Sequence, residues 1–128
     1  MAIVGSSMST EPWDFFDKSE FKCKCGCGTN NISNTLVNML DVARRIAGVS
    51  FIINSGVRCG KHNALVAASP TSSHVSGWAV DIQVSSSTAR SKMIKALIAV
   101  GFNRMGIADT FIHVDIDPGK PEDVTWTY

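Results

Sequence analysis

The stretch Trp78-Ala-Val-Asp-Ile-Gln-Val84 limits most tightly how this chain can fold. It alternates as a half-buried strand does, with Val80, Ile82 and Val84 on one face and Ala79, Asp81 and Gln83 on the other. Asp81 is the one charged residue in it, and a carboxylate on so apolar a strand is costly unless it is paired or bound to a metal. A second alternating run, Phe111-Ile-His-Val-Asp-Ile-Asp117, sets His113 and Asp115 on one face and Ile112, Val114 and Ile116 on the other, and Pro118-Gly119 ends it. Phe51-Ile-Ile-Asn54 is a third, shorter strand, closed by the turn-like Ser55-Gly56.

Helical patterns lie between these strands. Ser33 is a good N-cap, and Leu36, Leu40, Ala43 and Ala47 form a stripe at helical spacing that stops at Gly48. Ser87 or Thr88 caps a second helix through about Val100, closed by Gly101. The intervening loop, with Gly60, Pro70 and many serines, allows a short helical turn around His62 to Ala67. The order helix, strand, irregular loop, strand, helix, strand predicts an α+β fold with a small, largely antiparallel sheet flanked by helices.

With 128 residues, 45% of them hydrophobic and 18% charged, the chain can bury one real core. Residues 1–12 read as an unpatterned, Ser/Thr-rich leader, and 13–128 as one domain onto which Trp13, Phe15, Phe16 and Phe21 fold a short N-terminal segment. A formal net charge of +1 gives no footprint for nucleic acid. No stretch reaches the roughly 20 apolar residues of a membrane span, and residues 1–8 lack the basic start and apolar run of a secretory signal. The expectation is a protein made in the cytoplasm, not inserted in a membrane, and monomeric.

Three of the four cysteines are crowded as Cys23-Lys-Cys25-Gly-Cys27, with Cys59 far along the chain. Alternate cysteines bridge one another poorly, so a dense disulfide scaffold is not expected. Free thiols or one bridge to Cys59 come first, because CxCxC is not the usual CxxC knuckle; a structural metal site using all four is the alternative.

Of the three histidines, His62 reads as structural or merely exposed. His74 sits in a Ser/Gly-rich loop seven residues before Asp81, and His113 lies on the last strand. Two histidines and one carboxylate suit Zn²⁺ and leave a fourth position for water. On spacing alone, a buried hydrogen-bonded pair of Asp81 and His113 is an open alternative.

The run Ser72-Ser-His74-Val-Ser-Gly77-Trp-Ala79-Val-Asp81 resembles the SxHxxGxAxD pattern of the zinc D-Ala-D-Ala metallopeptidases, the carboxypeptidases and endopeptidases of peptidoglycan, related in fold to the hedgehog signalling domain. Ser55-Gly-Val-Arg58 with His62-Asn63 resembles the family's SGxR…HN segment, and Phe111-Ile-His113-Val-Asp115 its final strand. The resemblance spans about Phe21 to Tyr128 and implies that His74, Asp81 and His113 bind zinc. It implies further that Arg58 anchors a substrate carboxylate or helps hold an oxyanion, and that Ser72 hydrogen-bonds substrate or orients the site. Gly77 would permit the turn that brings His74 over the strand, and Trp78 would pack. Many relatives carry a His or Glu base two or three residues before the last histidine, where this chain has Phe111 and Thr110. Asp115 is the favoured substitute and Asp109 the other; Asp115 could instead orient His113. Asp117 reads as solvated. Ala64-Leu-Val-Ala-Ala68 has alanines where relatives often have glycine, in a loop that forms one wall of the family's substrate groove.

The implied activity is zinc-dependent hydrolysis of peptidoglycan peptide bonds at the bacterial cell wall, by a phage-type lysin, a virion component or a prophage-encoded enzyme. The alternative is a wall-binding or virion module that keeps the zinc site without turnover.

Overall fold

The computed structural model describes residues 13–66 and 69–128. The expected leader over 1–12, and Ala67 and Ala68 of the loop, lie outside them. A 3₁₀ turn, Lys18–Phe21, precedes helix α1 (Asn34–Ala47), strand β1 (Ile53–Ser55) and the short helix α2 (Gly60–Leu65). Strand β2 (Ala79–Gln83), helix α3 (Ser87–Ala99) and strands β3 (Arg104–Ile107), β4 (Phe111–Asp115) and β5 (Val124–Thr127) complete the fold.

The expected helices form for the expected reasons. Ser33 caps α1 by accepting the Leu36 N–H, and Gly48 closes it in the left-handed region at φ 69°. α3 starts one residue earlier than the sequence suggests: Ser86 is the cap and accepts from the Ala89 N–H.

The five strands form one sheet in the order β1-β2-β4-β3-β5, antiparallel except for the β3–β5 pair. This is the α+β arrangement read from the sequence. Two strands were not foreseen: Arg104-Met-Gly-Ile and Val124-Thr-Trp-Thr are four residues each, too short to show a period, and are defined by their pairing with β4 and with each other.

One sheet face is apolar. Val80, Ile82, Ile112 and Val114 are fully buried there, against Leu36, Val37 and Leu40 of α1 and Met93 and Leu97 of α3. Phe16 and Phe21 join this core from the N-terminal segment. That segment is pinned to α1: Asp41 accepts the Asp14 and Phe15 N–H groups, and Trp13 Nε1 donates to Asn38 Oδ1 at 2.7 Å. The opposite face carries Asp81, His113 and Asp115, the polar side of the alternation. The chemistry therefore sits on a rigid floor whose underside is the core.

Candidate active site

Pairing in the sheet brings the first two groups together. Asp81 on β2 stands directly opposite His113 on β4, and Ala79 opposite Asp115. His113 Nδ1 lies 3.0 Å from Asp81 Oδ1, and its Nε2 lies 2.7 Å from Asp115 Oδ2.

His74 arrives from the loop before β2, and a chain of local contacts sets its position. Ser72 Oγ accepts the His74 N–H, the His74 carbonyl accepts from the Arg58 N–H, and the Trp78 N–H donates to the Ser73 carbonyl. Gly77 makes this path possible. Its φ is 79°, and a Cβ there would stand 2.1 Å from the Asn31 carbonyl oxygen. His74 Nε2 then lies 3.3 Å from the same Asp81 Oδ1, while Nδ1 lies 2.7 Å from the Gly56 carbonyl oxygen.

These contacts test whether a cation fits. A carbonyl can only accept, so His74 carries its proton on Nδ1 and presents a lone pair at Nε2. Asp115, held as a carboxylate, likewise accepts a hydrogen bond from His113 Nε2–H and leaves Nδ1 as a lone pair. Three electron-rich atoms, two imidazole nitrogens and one carboxylate oxygen, thus lie within 4.8 Å of one another. Each imidazole donates its outer N–H to a fixed acceptor, as metal-bound histidines do. The donor set fits a divalent metal ion.

The charge balance of the metal-free cluster agrees. Burial pushes the Asp81 carboxyl up, but the hydrogen bonds that His113 and His74 give it in their protonated forms outweigh burial and hold it well below the usual range. Burial disfavours the His113 imidazolium, yet Asp115 and Asp81 outweigh that and raise its pKa. Burial would also raise Asp115, but His113 and Arg104 keep it low. Without metal, the two carboxylates that flank His113 favour its protonated form.

The cluster opens into a cavity of about 390 Å³ whose lining includes Arg58, Ser72, His74, Asp81, His113 and Asp115. All six residues expected at the site therefore face one space. Arg58 is not a surface ion pair: its Nη2 lies 3.5 Å from Asp81 Oδ2, and Ser55 and Asn63 brace the rest of its guanidinium. Asp115 is 1% exposed, and both of its oxygens are engaged, Oδ2 by His113 and Oδ1 by Arg104 Nε at 2.6 Å and by the Asp117 N–H. Asp109 is exposed in the turn before β4, and its carbonyl accepts from Arg90. His62 stands apart, on α2.

Trp126, Lys120, Arg104 and Tyr128 also line the cavity. No sequence signal marks them, since they lie on or beside the two unforeseen strands. The expectation for Asp117 needs correcting. Its carboxylate accepts from Ser73 Oγ at 2.7 Å, with Lys120 Nζ 3.7 Å away, because the turn at Pro118-Gly119 folds Lys120 back over Ser73.

The model of one family, Peptidase M15, matches residues 14–115, most of the chain and all three converging donors. The chain belongs to this family. Its M15 membership makes it a metallopeptidase, in agreement with the donor set described above. No curated protein matches the chain significantly. Among the described residues, no helix of this M15 protein is long and apolar enough to cross a membrane.

Proposed function

We propose that this M15 peptidase hydrolyses peptide bonds in peptidoglycan stem peptides or cross-links with a zinc ion held by His74 Nε2, Asp81 Oδ1 and His113 Nδ1. The convergence of those three atoms in the wall of an open cavity carries the reading. Two nitrogens and one oxygen suit zinc and leave a position free; when bound, zinc supplies Lewis acidity and a water that ionises near neutral pH.

The chain's own residues supply orientation and charge. Arg58 sits beside Asp81 with its guanidinium facing the cavity, suited to a stem-peptide carboxylate or to negative charge developing on the scissile carbonyl. Lys120 adds a second cation on the same rim. Ser72 holds the His74 turn and offers its hydroxyl to substrate. Asp115, with both oxygens engaged, is a positioning residue here: it fixes the His113 tautomer and makes the imidazole a better donor. The site of action is the bacterial cell wall, in a lysin, virion-associated or prophage-encoded setting.

The test is digestion of purified sacculi of defined chemotypes, with mass spectrometry of the released muropeptides. Release that a chelator stops and added zinc restores is expected. If zinc-loaded protein releases nothing from any chemotype, the peptidoglycan reading falls and a wall-binding module of the same fold takes its place.

A further inference from the structure

A second set of metal-type donors lies outside this cavity. The fold brings Cys59, at the start of α2, onto the loop that carries Cys23, Cys25 and Cys27, and the four sulfurs lie within 4.8 Å of one another. Cys23 Sγ is 3.4 Å from Cys25 Sγ, which is 3.6 Å from Cys59 Sγ. A disulfide would require about 2.05 Å. Four thiolates around a tetrahedral zinc, at about 2.3 Å each, stand roughly 3.8 Å apart. These two separations lie near the second arrangement and far from the first, and all four sulfurs stay within 4.8 Å of one another.

The backbone is built for the same purpose. Gly26, between Cys25 and Cys27, adopts a positive φ of 87°, which turns the chain so that these alternate cysteines converge; Gly28, at 82°, turns the chain away after Cys27. Three sulfurs accept backbone N–H groups: Cys23 from Cys59, Cys59 from His62 and Cys27 from Thr29, at 3.3 to 3.4 Å. Such donors stabilise sulfur as thiolate. Cys23 is buried while Cys25 and Cys27 are exposed, so an ion could enter from the solvent side.

We infer that Cys23, Cys25, Cys27 and Cys59 form a structural site for a soft divalent metal ion, zinc above all, separate from the catalytic cavity. Binding displaces the four thiol protons to solvent and leaves a closed, four-coordinate centre with no position for substrate. Its task is to tie the N-terminal loop to the segment that feeds the active site. The Val57 N–H donates to the Phe21 carbonyl, and Gly56 packs so tightly on the Phe21 backbone that a Cβ would stand 2.6 Å from the Phe21 carbonyl oxygen. Gly56 accepts from His74, and Arg58 faces Asp81, so the clamp supports both.

The test uses the full chain, purified under reductant without chelator. Zinc per chain is measured for the unaltered protein, for Cys25→Ser/Cys27→Ser at the two exposed positions, and for His74→Ala. The double variant should lose one equivalent while His74→Ala retains that equivalent. Cobalt loading of the unaltered protein reads the site without mutation: near-ultraviolet sulfur-to-cobalt absorption should appear there and in His74→Ala, but not in the double variant. Absence of that absorption from the unaltered protein, equal zinc in the double variant, or a disulfide found by mass under reductant each overturns the inference. Failure of the catalytic zinc reading would show separately, as no metal lost in His74→Ala.

Discussion

Replacing Asp115 with Asn separates the two roles open to this carboxylate. The substitution keeps size and shape but leaves one acceptor oxygen where two are used, by His113 Nε2 at 2.7 Å and Arg104 Nε at 2.6 Å. Whichever way the amide turns, its NH₂ faces an N–H donor. Hydrogen bonds to charged groups contribute about 1.5–3 kcal/mol each, so losing one and weakening the other costs roughly 2–4 kcal/mol of stability. Arg104 limits the loss, since it keeps its bond to the Pro121 carbonyl and its place over the Trp126 ring at 5.4 Å. Loss of the acceptor behind a metal-bound histidine weakens metal affinity about 10–100-fold, or about 1.4–2.7 kcal/mol. Zinc competition against a chromophoric chelator reads the affinity, and turnover at saturating zinc reads the chemistry. A positioning residue predicts weak zinc binding with turnover largely recovered once zinc is saturating. Unchanged zinc affinity with turnover lost about 1,000-fold would refute that role and make Asp115 the general base.

Gly77→Ala should be among the most damaging single changes: a left-handed backbone costs an alanine about 1–2 kcal/mol before the clash with Asn31 is counted. Thermal melts and zinc content should fall together. At Gly106, an added Cβ would meet the Trp126 ring at 2.5 Å, and that ring lies 5.3 Å from the His113 ring. Gly106→Ala should therefore shift tryptophan fluorescence and lower turnover more than stability. The metal-free protein should show a stability maximum at mildly acidic pH. The raised His113 pKa gives stability that is full below the ordinary histidine value of 6.5 and lost as pH rises through the folded value. The lowered Asp81 and Asp115 give stability present above the ordinary 3.8 and lost as pH falls through their folded values. Melting with metal should reverse the alkaline limb, because metal replaces the His113 proton and binds more tightly as pH rises; an unreversed limb places the metal elsewhere.

The strands that carry Asp81 and His113 were legible because each is long enough to alternate and each buries one face on the helices. The helix caps were legible too, with a shift to Ser86, whose hydroxyl oxygen accepts the Ala89 N–H in the capping role expected of Ser87 or Thr88. What escaped detection is non-local. Arg104 looks like any surface cation until β3 is paired with β4, and Trp126 has no visible role until β5 lies against Gly106. The ion pair of Arg104 with Asp115 bears directly on the choice between base and positioning residue, and no spacing rule contains it. The cysteine cluster shows the same limit: CxCxC looks unlike a metal knuckle until the left-handed Gly26 turns its side chains together and the fold brings Cys59 beside them.

The parallel placement of β5 has a consequence for how the site comes to exist. β3, β4 and β5 are consecutive, so His113, Asp115, Arg104 and Trp126 meet through short loops with little closure entropy. Asp81, by contrast, must find His113 across helix α3 and strand β3. Contacts between residues near in sequence form sooner than distant ones. One half of the centre can thus be ready while the other is still searching, and a metal ion held by Asp81 and His113 would latch the late half to the early one.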